Sequence, residues 1–392
     1  MIKFEHAIDI VKQNIVLLGT EEVDIKESLN RVLRQDVLSD LNMPPFDKSA
    51  MDGYACRMSD ITNELEVIQT IPAGFTPTKA IGENQCAKIM TGAKIPEGAD
   101  CVIIVEDVEE ISDNKIRYKK DKTSSNICYL GEDVVTGQKL VEAGTRITSK
   151  QIGAMALSGC VKPVVSVKPK IGIIATGDEI VEPHLIPRDS QIRNSNASQL
   201  YAQSLQFGCG PIYYGIVEDT KEAITNAVEK AKEENDVVLL TGGVSMGDFD
   251  LVPGILKETG FELFFQKVAV QPGKPTVFGR ANDTFVFGLP GNPVSSFIIF
   301  EVIVKELLTG MLGLKNYAAI VKAALSKDVR RKKNERLAWL PAKFLPNGLV
   351  EKIEYHGSAH ITSLTEADGL IFVPAGLYEL KKGMKIDVRQ LQ

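Results

Sequence analysis

Carboxylates stand where the apolar runs of the chain stop. Ile171-Gly-Ile-Ile-Ala175 is followed by Thr176-Gly-Asp-Glu179, and residues 212–217 by Glu218-Asp219. Val237-Val-Leu-Leu240 is followed by Thr241-Gly-Gly-Val-Ser-Met-Gly-Asp248, and Phe285-Val-Phe287 by Gly288-Leu-Pro-Gly-Asn-Pro293. Short apolar runs of this kind read as buried strands, and open α/β sheets bind ligands outside the carboxyl ends of their strands. Asp178, Glu179, Asp219, Asp248 and Asp250 would then share one rim. Five negative groups in one cleft repel unless a cation joins them. A hard, oxygen-preferring ion such as Mg²⁺ is the natural partner, and it usually bridges to substrate phosphates. Helix capping is the competing use of Asp219, because Asp219-Thr-Lys-Glu222 has the form of a capping box.

The same rim would carry donors for anions. Gly242 and Gly243 allow close backbone approach and present N–H groups. Asn292 before Pro293 reads as an N-cap followed by proline at the first helical position, which turns free N–H groups toward the rim. Gln271-Pro-Gly-Lys-Pro275 is stiffened by its prolines and presents Lys274. A lysine about 4 Å from a monoanion is worth ~4 kcal/mol at an effective dielectric of about 20, and roughly twice that for a dianion before desolvation. Acidic residues for a metal beside separate donors for oxyanions suit a phosphorylated or oxyanionic substrate.

Two other chemistries fit poorly. Gly243-Val-Ser-Met-Gly247 matches the GxSxG pattern of serine hydrolases, but the nucleophile elbow needs a helix directly after the serine. Gly247-Asp-Phe-Asp250 favours a loop instead, and the only downstream histidines, His356 and His360, fall in another expected domain. Those two histidines have no cysteine near them and do not read as a metal site. No GxxxxGK[ST] occurs, so a P-loop nucleotidase is unsupported.

The elements that must position these residues follow from periodicity. Phe4, Ile8, Val11, Ile15 and Leu18 predict an amphipathic N-terminal helix. From Asn42 to Thr145 the texture turns to short strands such as Cys101-Val-Ile-Ile-Val105 and Lys115-Ile-Arg-Tyr118, separated by Gly, Pro and Asn turns. A helix is expected over 148–159, then strand and helix alternate from Lys170, with helices over 197–207, 221–234 and 293–308. That alternation predicts a parallel sheet with helices on both faces. The last part is β-rich again. The expected division is an elongated discontinuous segment (1–41 and 146–168), a β-rich insert (42–145), an α/β domain (169–315) and a C-terminal β domain (316–392). Arg330-Arg-Lys-Lys333 reads as a solvated hairpin tip.

Composition sets the bounds. The chain has 392 residues, 44% hydrophobic and 24% charged, with formal net charge −6. An acidic balance speaks against a nucleic-acid partner. No apolar run is long enough for a membrane span, and the charged N-terminal stretch is no signal peptide. The six cysteines form no CxxC pair, which fits a reducing cytoplasm.

An ordered series of longer motifs carries a resemblance. Pro45-Phe-Asp-Lys-Ser-Ala-Met-Asp-Gly-Tyr54, Ile89-Met-Thr-Gly-Ala-Lys-Ile-Pro-Glu-Gly98, Gly131-Glu-Asp133, Thr176-Gly-Asp-Glu179, residues 241–250, Pro272-Gly-Lys-Pro275, Gly288-Leu-Pro-Gly-Asn-Pro293 and Gly357-Ser358 follow one another along the chain. The sequence resembles the molybdopterin molybdotransferase family, which includes the MoeA proteins and the E domain of gephyrin. The resemblance implies a multidomain α/β plus β fold with a central three-layer molybdopterin-binding-like domain, a β-rich insert and a C-terminal β-barrel-like domain. It implies a homodimer whose cleft the insert of the other subunit completes, and a reaction taking adenylylated molybdopterin and molybdate to molybdenum cofactor and AMP with Mg²⁺. Glu179, Asp250, Asp52 and Asp133 would be catalytic. Thr91, Thr176, Gly242, Gly243, Ser245, Lys274, Asn292, Ser358 and Arg336 would bind substrate. The molybdopterin adenylyltransferase and apo-molybdoenzymes would be partners.

The chain departs from the familiar pattern at three positions. Gln271 stands where lysine is frequent, Lys48 where asparagine is frequent, and Pro341 where a second arginine often occurs. These departures bear on the anion site and would fit a shifted oxyanion preference, such as tungstate. Two alternatives are kept. An adenylyltransferase of the same fold would need the α/β domain alone, so the long flanking regions argue against it. A gephyrin-like scaffold would have no need of the clustered carboxylates.

Overall fold

In a computed structural model, the chain is described for residues 1–243, 251–315, 318–354, 357 and 359–391. It separates into two compact units. One comprises Met1–Gln35, Ala143–Thr148 and Val164–Gln392, and the other Asp36–Glu142 and Ser149–Pro163.

The larger unit contains the alternating segment. Its elements are β1 (Lys170–Thr176), α1 (Ser195–Phe207), β2 (Gly210–Val217), α2 (Lys221–Glu234), β3 (Val237–Thr241), α3 (Val252–Glu258), β4 (Glu262–Phe265), β5 (Val270–Gln271), β6 (Val277–Ala281), β7 (Thr284–Leu289) and α4 (Pro293–Ile299). Six of the strands form a sheet in the order β2-β1-β3-β7-β6-β4, parallel from β2 through β7. Register aligns the carboxyl ends: Thr176 pairs Val217, Ala175 pairs Thr241, and Thr241 pairs Leu289.

Burial explains why these strands are apolar without interruption. Val237 and Leu239 of β3 face a core shared with α1 and α4, while Val238 and Leu240 face one shared with α2 and α3. A strand covered on both faces has no polar side. The result is a three-layer α/β domain. Helix α4 continues through a π turn, Phe300–Val304, into Lys305–Leu312. Within it the buried Glu301 accepts from Lys305 Nζ (2.7 Å) and Gln203 Nε2 (2.8 Å).

The C-terminal segment adds β8 (Ile320–Ala324), β9 (Leu337–Phe344), β10 (Gly369–Val373) and β11 (Lys385–Gln390). The sheet order is β5-β9-β10-β11-β8. Strand Val350–Lys352 pairs with β9, and the bridge Leu325–Val350 ties the end of β8 back to it, which curls the sheet toward a barrel. The short β5 comes from the α/β segment yet pairs in parallel with β9, Val270 with Leu337 and Gln271 with Ala338. Trp339 fixes the junction from the other side, 6.2 Å from the Phe4 ring and 5.2 Å from Phe372. The N-terminal helix is Phe4–Gln13, shorter than the 3/4 spacing predicts. Ile15 and Leu18 lie beyond its end but still pack beside the Lys305–Leu312 helix, where Leu18 N–H donates to Met311 O.

The second unit holds a six-stranded sheet: Cys101–Ile104, Gly53–Cys56, Gln85–Ile89, Glu64–Ile71, Lys115–Tyr118 and Val108–Ser112 in spatial order. It too has a core on each face, one around Tyr54, Cys56, Leu65 and Ile103, the other around Ala55, Ile71, Ala87 and Ile89. Cys56 and Cys101 are cross-strand partners with Sγ atoms 3.6 Å apart and remain free thiols. Helix Ser149–Leu157 belongs to this unit. Among the described residues no helix is long and apolar enough to cross a membrane.

Candidate active site

The parallel strand ends open onto a cavity of about 370 Å³ lined by Thr176, Glu179, Asn196, Thr241, Gly242 and Asn292, among others. Its floor depends on close backbone approach. Gly242 has φ +96°, and a Cβ there would meet Thr176 O at 2.1 Å. Only glycine lets β1 and β3 end side by side. Asn196, at the start of α1, ties two of the loops together: its Nδ2 donates to Thr241 Oγ1 (2.8 Å) and to Gly291 O (2.8 Å). Asn194 caps the same helix by accepting from Ala197 N–H (3.1 Å). The two asparagines sit where the helix begins, two residues before the start that periodicity suggests. An Asn-Ser-Asn run before a helix was the available signal for Asn196.

The carboxylates gather behind this cavity. Asp219 N–H donates to Asp178 Oδ1 (3.3 Å), which joins the ends of β1 and β2. Asp219 does not cap α2. The cap is Thr220, extended at φ −115° and ψ 148°, whose hydroxyl accepts from Ala223 N–H. The Asp219 carboxylate is thereby left over: its Oδ1 is buried and has no hydrogen-bond partner among the described residues. Burial first, then the charges of Asp178 and Glu179, push its pKa above the ordinary aspartate range. Thr176 Oγ1 is likewise buried without a partner among the described residues. An orphaned carboxylate oxygen can supply one ligand to a hard cation that takes oxygen donors. Among the described residues no group of three His, Cys, Asp or Glu side chains is close enough to hold a metal ion. Ser245, Asp248 and Asp250 lie outside the described residues.

A second cavity, about 440 Å³, adjoins at Asn292. Gln271, Lys274, Ser295, Arg336 and Gly357 line it, with Pro272, Pro275 and Pro290. It exists because β5 crosses to the C-terminal sheet. Arg336 Nη1 donates to Val270 O (2.9 Å), and Thr276 Oγ1 donates to Gly273 O (2.7 Å). Gly273 has φ +109°, and a Cβ there would strike Ile299 Cδ1 at 2.4 Å, so the lysine loop lies directly on α4. Neither Lys274 nor Arg336 has a carboxylate partner among the described residues. Asn292 occupies the N-cap position with Pro293 following, but its side chain makes no cap bond and faces both cavities instead. Ser358 lies outside the described residues.

The basic run 330–333 is not simply a solvated tip. Arg330 does pair with Glu379 at the surface (2.6 Å). Arg331 turns inward, donating through Nη2 to Gln271 Oε1 (3.2 Å) and Arg336 O (2.6 Å) and through Nη1 to Pro374 O (3.3 Å). Alternation along a strand end sends one arginine out and the next in, which a count of charges does not reveal. Pro341 is buried in β9, opposite Leu370 of β10.

In the second unit Asp52 and Thr91 form a pair. Asp52 Oδ1 accepts from Thr91 N–H (2.6 Å) and Thr91 Oγ1 (2.8 Å), and these bonds, the backbone one foremost, lower the Asp52 pKa. Asp133 is exposed, with its N–H on Met43 O (3.0 Å). Lys48 is half-buried and bridges Lys94 through the backbone.

Three family descriptions match in succession: "MoeA N-terminal region (domain I and II)" over residues 2–159, "Probable molybdopterin binding domain" over 172–310, and "MoeA C-terminal region (domain IV)" over 322–391. The molybdopterin molybdenumtransferase of Bacillus subtilis (strain 168) is 35% identical over 94% of this chain and 89% of its own length. The chain belongs to the molybdopterin molybdenumtransferase family. The enzyme of that name from Staphylococcus epidermidis RP62A is 34% identical, over 99% of this chain and 95% of its own. The crystal structure of the molybdopterin biosynthesis moeA protein from Pyrococcus horikoshii OT3 superposes with TM-score 0.86 at 30% identity and covers both chains fully. The multidomain α/β plus β architecture is therefore that of the molybdenumtransferase family.

Proposed function

We propose that this chain inserts molybdenum into adenylylated molybdopterin, taking molybdate as co-substrate and releasing AMP. One observation carries the reading: a cavity walled by Lys274 and Arg336, neither with a carboxylate partner among the described residues, adjoins at Asn292 a cavity backed by clustered carboxylates. Cations without counter-ions favour an oxyanion, and crowded carboxylates favour a metal. The two needs are those of molybdate and of a Mg²⁺-bound pyrophosphate.

Lys274 and Arg336, with Ser358, would receive molybdate. Thr176, Gly242, Gly243, Ser245 and Asn292 would contact the pterin substrate. Asp178, Glu179, Asp219, Asp248 and Asp250 would hold Mg²⁺, which when bound offsets the charge of the pyrophosphate. Glu179 lines the substrate cavity and is the described carboxylate best placed to assist cleavage, with Asp250 as its counterpart. Asp52, held by Thr91 with a lowered pKa, would act as an ionised acceptor; with Asp133 it would complete the cleft from the second subunit of a homodimer. The division into segments 1–41 with 146–168, 42–145, 169–315 and 316–392 belongs to the same reading. So do a cytoplasmic site of action, which the six free thiols favour, and hand-over partners: the adenylyltransferase upstream and apo-molybdoenzymes downstream.

The test is AMP release from adenylylated molybdopterin with Mg²⁺, with and without molybdate, alongside reconstitution of an apo-molybdoenzyme. Molybdate-dependent release is expected, and Asp219→Ala should reduce it by roughly 100-fold at a fixed Mg²⁺ concentration. Release that ignores every oxyanion, from folded protein, would overturn the reading.

A further inference from the structure

The oxyanion cavity contains one wall residue whose contribution depends on a neighbour outside the cavity. Gln271 is neutral, and its amide can present either an acceptor or a donor to a bound anion. A guanidinium carries donors only, so the Gln271 atom 3.2 Å from Arg331 Nη2 must be the carbonyl oxygen. That contact decides the amide orientation chemically. The planar NH₂ then points away from Arg331, and among the described residues it has no protein partner. Gln271 itself lines the cavity with Lys274, Ser295 and Arg336.

We propose that Arg331 is a positioning residue of this oxyanion cavity: it locks the Gln271 amide with NH₂ toward the anion. The inference rests on the oxyanion-binding reading above and deepens it. The same guanidinium holds the Arg336 carbonyl at 2.6 Å and Pro374 O at 3.3 Å, so one cation braces two wall residues that are 65 positions apart in sequence. A hydrogen bond from a charged donor to Oε1 also polarises the amide and strengthens its N–H groups as donors. Without Arg331 the amide would be free to turn its oxygen inward, opposite the anion's own oxygens. Positive influence thus reaches the cavity through a neutral side chain, from an arginine on the C-terminal domain. A lysine has no planar fork and could not hold these carbonyls in one geometry.

Equilibrium dialysis of full-length protein against molybdate tests this, with thermal melting as a check on folding. Arg331→Ala should weaken molybdate binding by about tenfold, the effect of one charge-assisted hydrogen bond lost at second hand. Adding Gln271→Lys to Arg331→Ala should restore binding to within about threefold of wild type, because a fixed ammonium replaces the oriented amide. Gln271→Glu keeps the Arg331 contact as an ion pair but places a carboxylate in the wall. It should melt no lower than wild type and bind at least about tenfold more weakly. It also keeps the question decidable should Arg331→Ala fail to fold. Wild-type affinity in folded Arg331→Ala or in Gln271→Glu would overturn the proposal, as would a double variant no better than Arg331→Ala. Wild-type protein that binds neither molybdate, sulfate nor phosphate would instead remove the oxyanion cavity itself, and the role of Arg331 with it.

Discussion

The two adjoining cavities are built in opposite ways. The carboxylate cavity forms mainly where the parallel strands of the α/β domain end, with Ala359 and Ile361 of the C-terminal segment also lining it. The cationic cavity exists only because β5 leaves that domain and pairs with β9 of the C-terminal sheet. In the first, register does most of the positioning, with the Asn196 side chain tying the 241 and 291 loops together. In the second, side-chain contacts such as Arg336 to Val270 O and Arg331 to Gln271 do it. The first is therefore the more sensitive to backbone changes and the second the more sensitive to side-chain changes.

Gly242→Ala is the severest way to break the first. A Cβ 2.1 Å from Thr176 O at φ +96° cannot be accommodated without parting β1 from β3. Chemical denaturation should show a loss of about 3 kcal/mol or more. Lys274→Ala acts on the second cavity alone. Molybdate-dependent AMP release should fall roughly 100-fold, the scale of deleting one preorganised charge at a reacting site. Thermal melting should hardly change. Asn196→Ala removes the tie between the 241 and 291 loops and leaves Thr241 and Gly291 O to find other partners. Denaturation should record about 1–3 kcal/mol lost, and the KM for the pterin substrate should rise while molybdate half-saturation stays put.

The smallest effect concerns Asp219 in metal-free protein. Its folded pKa is raised, so the native state holds a proton that the unfolded chain has already given up. Stability then falls as pH rises from the ordinary carboxylate range through the folded pKa. Asp219→Asn should melt slightly higher than wild type at neutral pH without Mg²⁺. That advantage should vanish below the ordinary carboxylate range, and saturating Mg²⁺ should reverse it. A variant that melts lower than wild type without metal would contradict the reading of Asp219 as an uncompensated carboxylate.

The same contrast explains how much was legible in sequence. Strand-end position identified Thr176, Glu179, Gly242 and Asn292, because a parallel sheet places its carboxyl ends together whatever the helices do. The strands were readable for the same reason, being apolar on both faces. Capping competes with metal binding for Asp219 in the sequence because a box pattern is local, whereas the choice between Asp219 and Thr220 as cap depends on the backbone angles where the strand-end loop enters α2. Lys274 was visible through its proline-flanked loop. Arg331 was not, since its contacts run to Gln271 and Pro374 across a sheet junction that no periodicity encodes. The pairing of Asp52 with Thr91 likewise joins residues 39 apart through strand register alone.

The division of labour between the cavities is tested most directly by half-saturation of AMP release in two variants. Lys274→Ala should raise the molybdate concentration needed and leave the Mg²⁺ requirement unchanged. Asp219→Ala, where residual turnover can be measured, should raise the Mg²⁺ requirement and leave molybdate unchanged. If either variant shifts both ions to the same extent, the two cavities are one site, and the separation of oxyanion from metal binding is wrong.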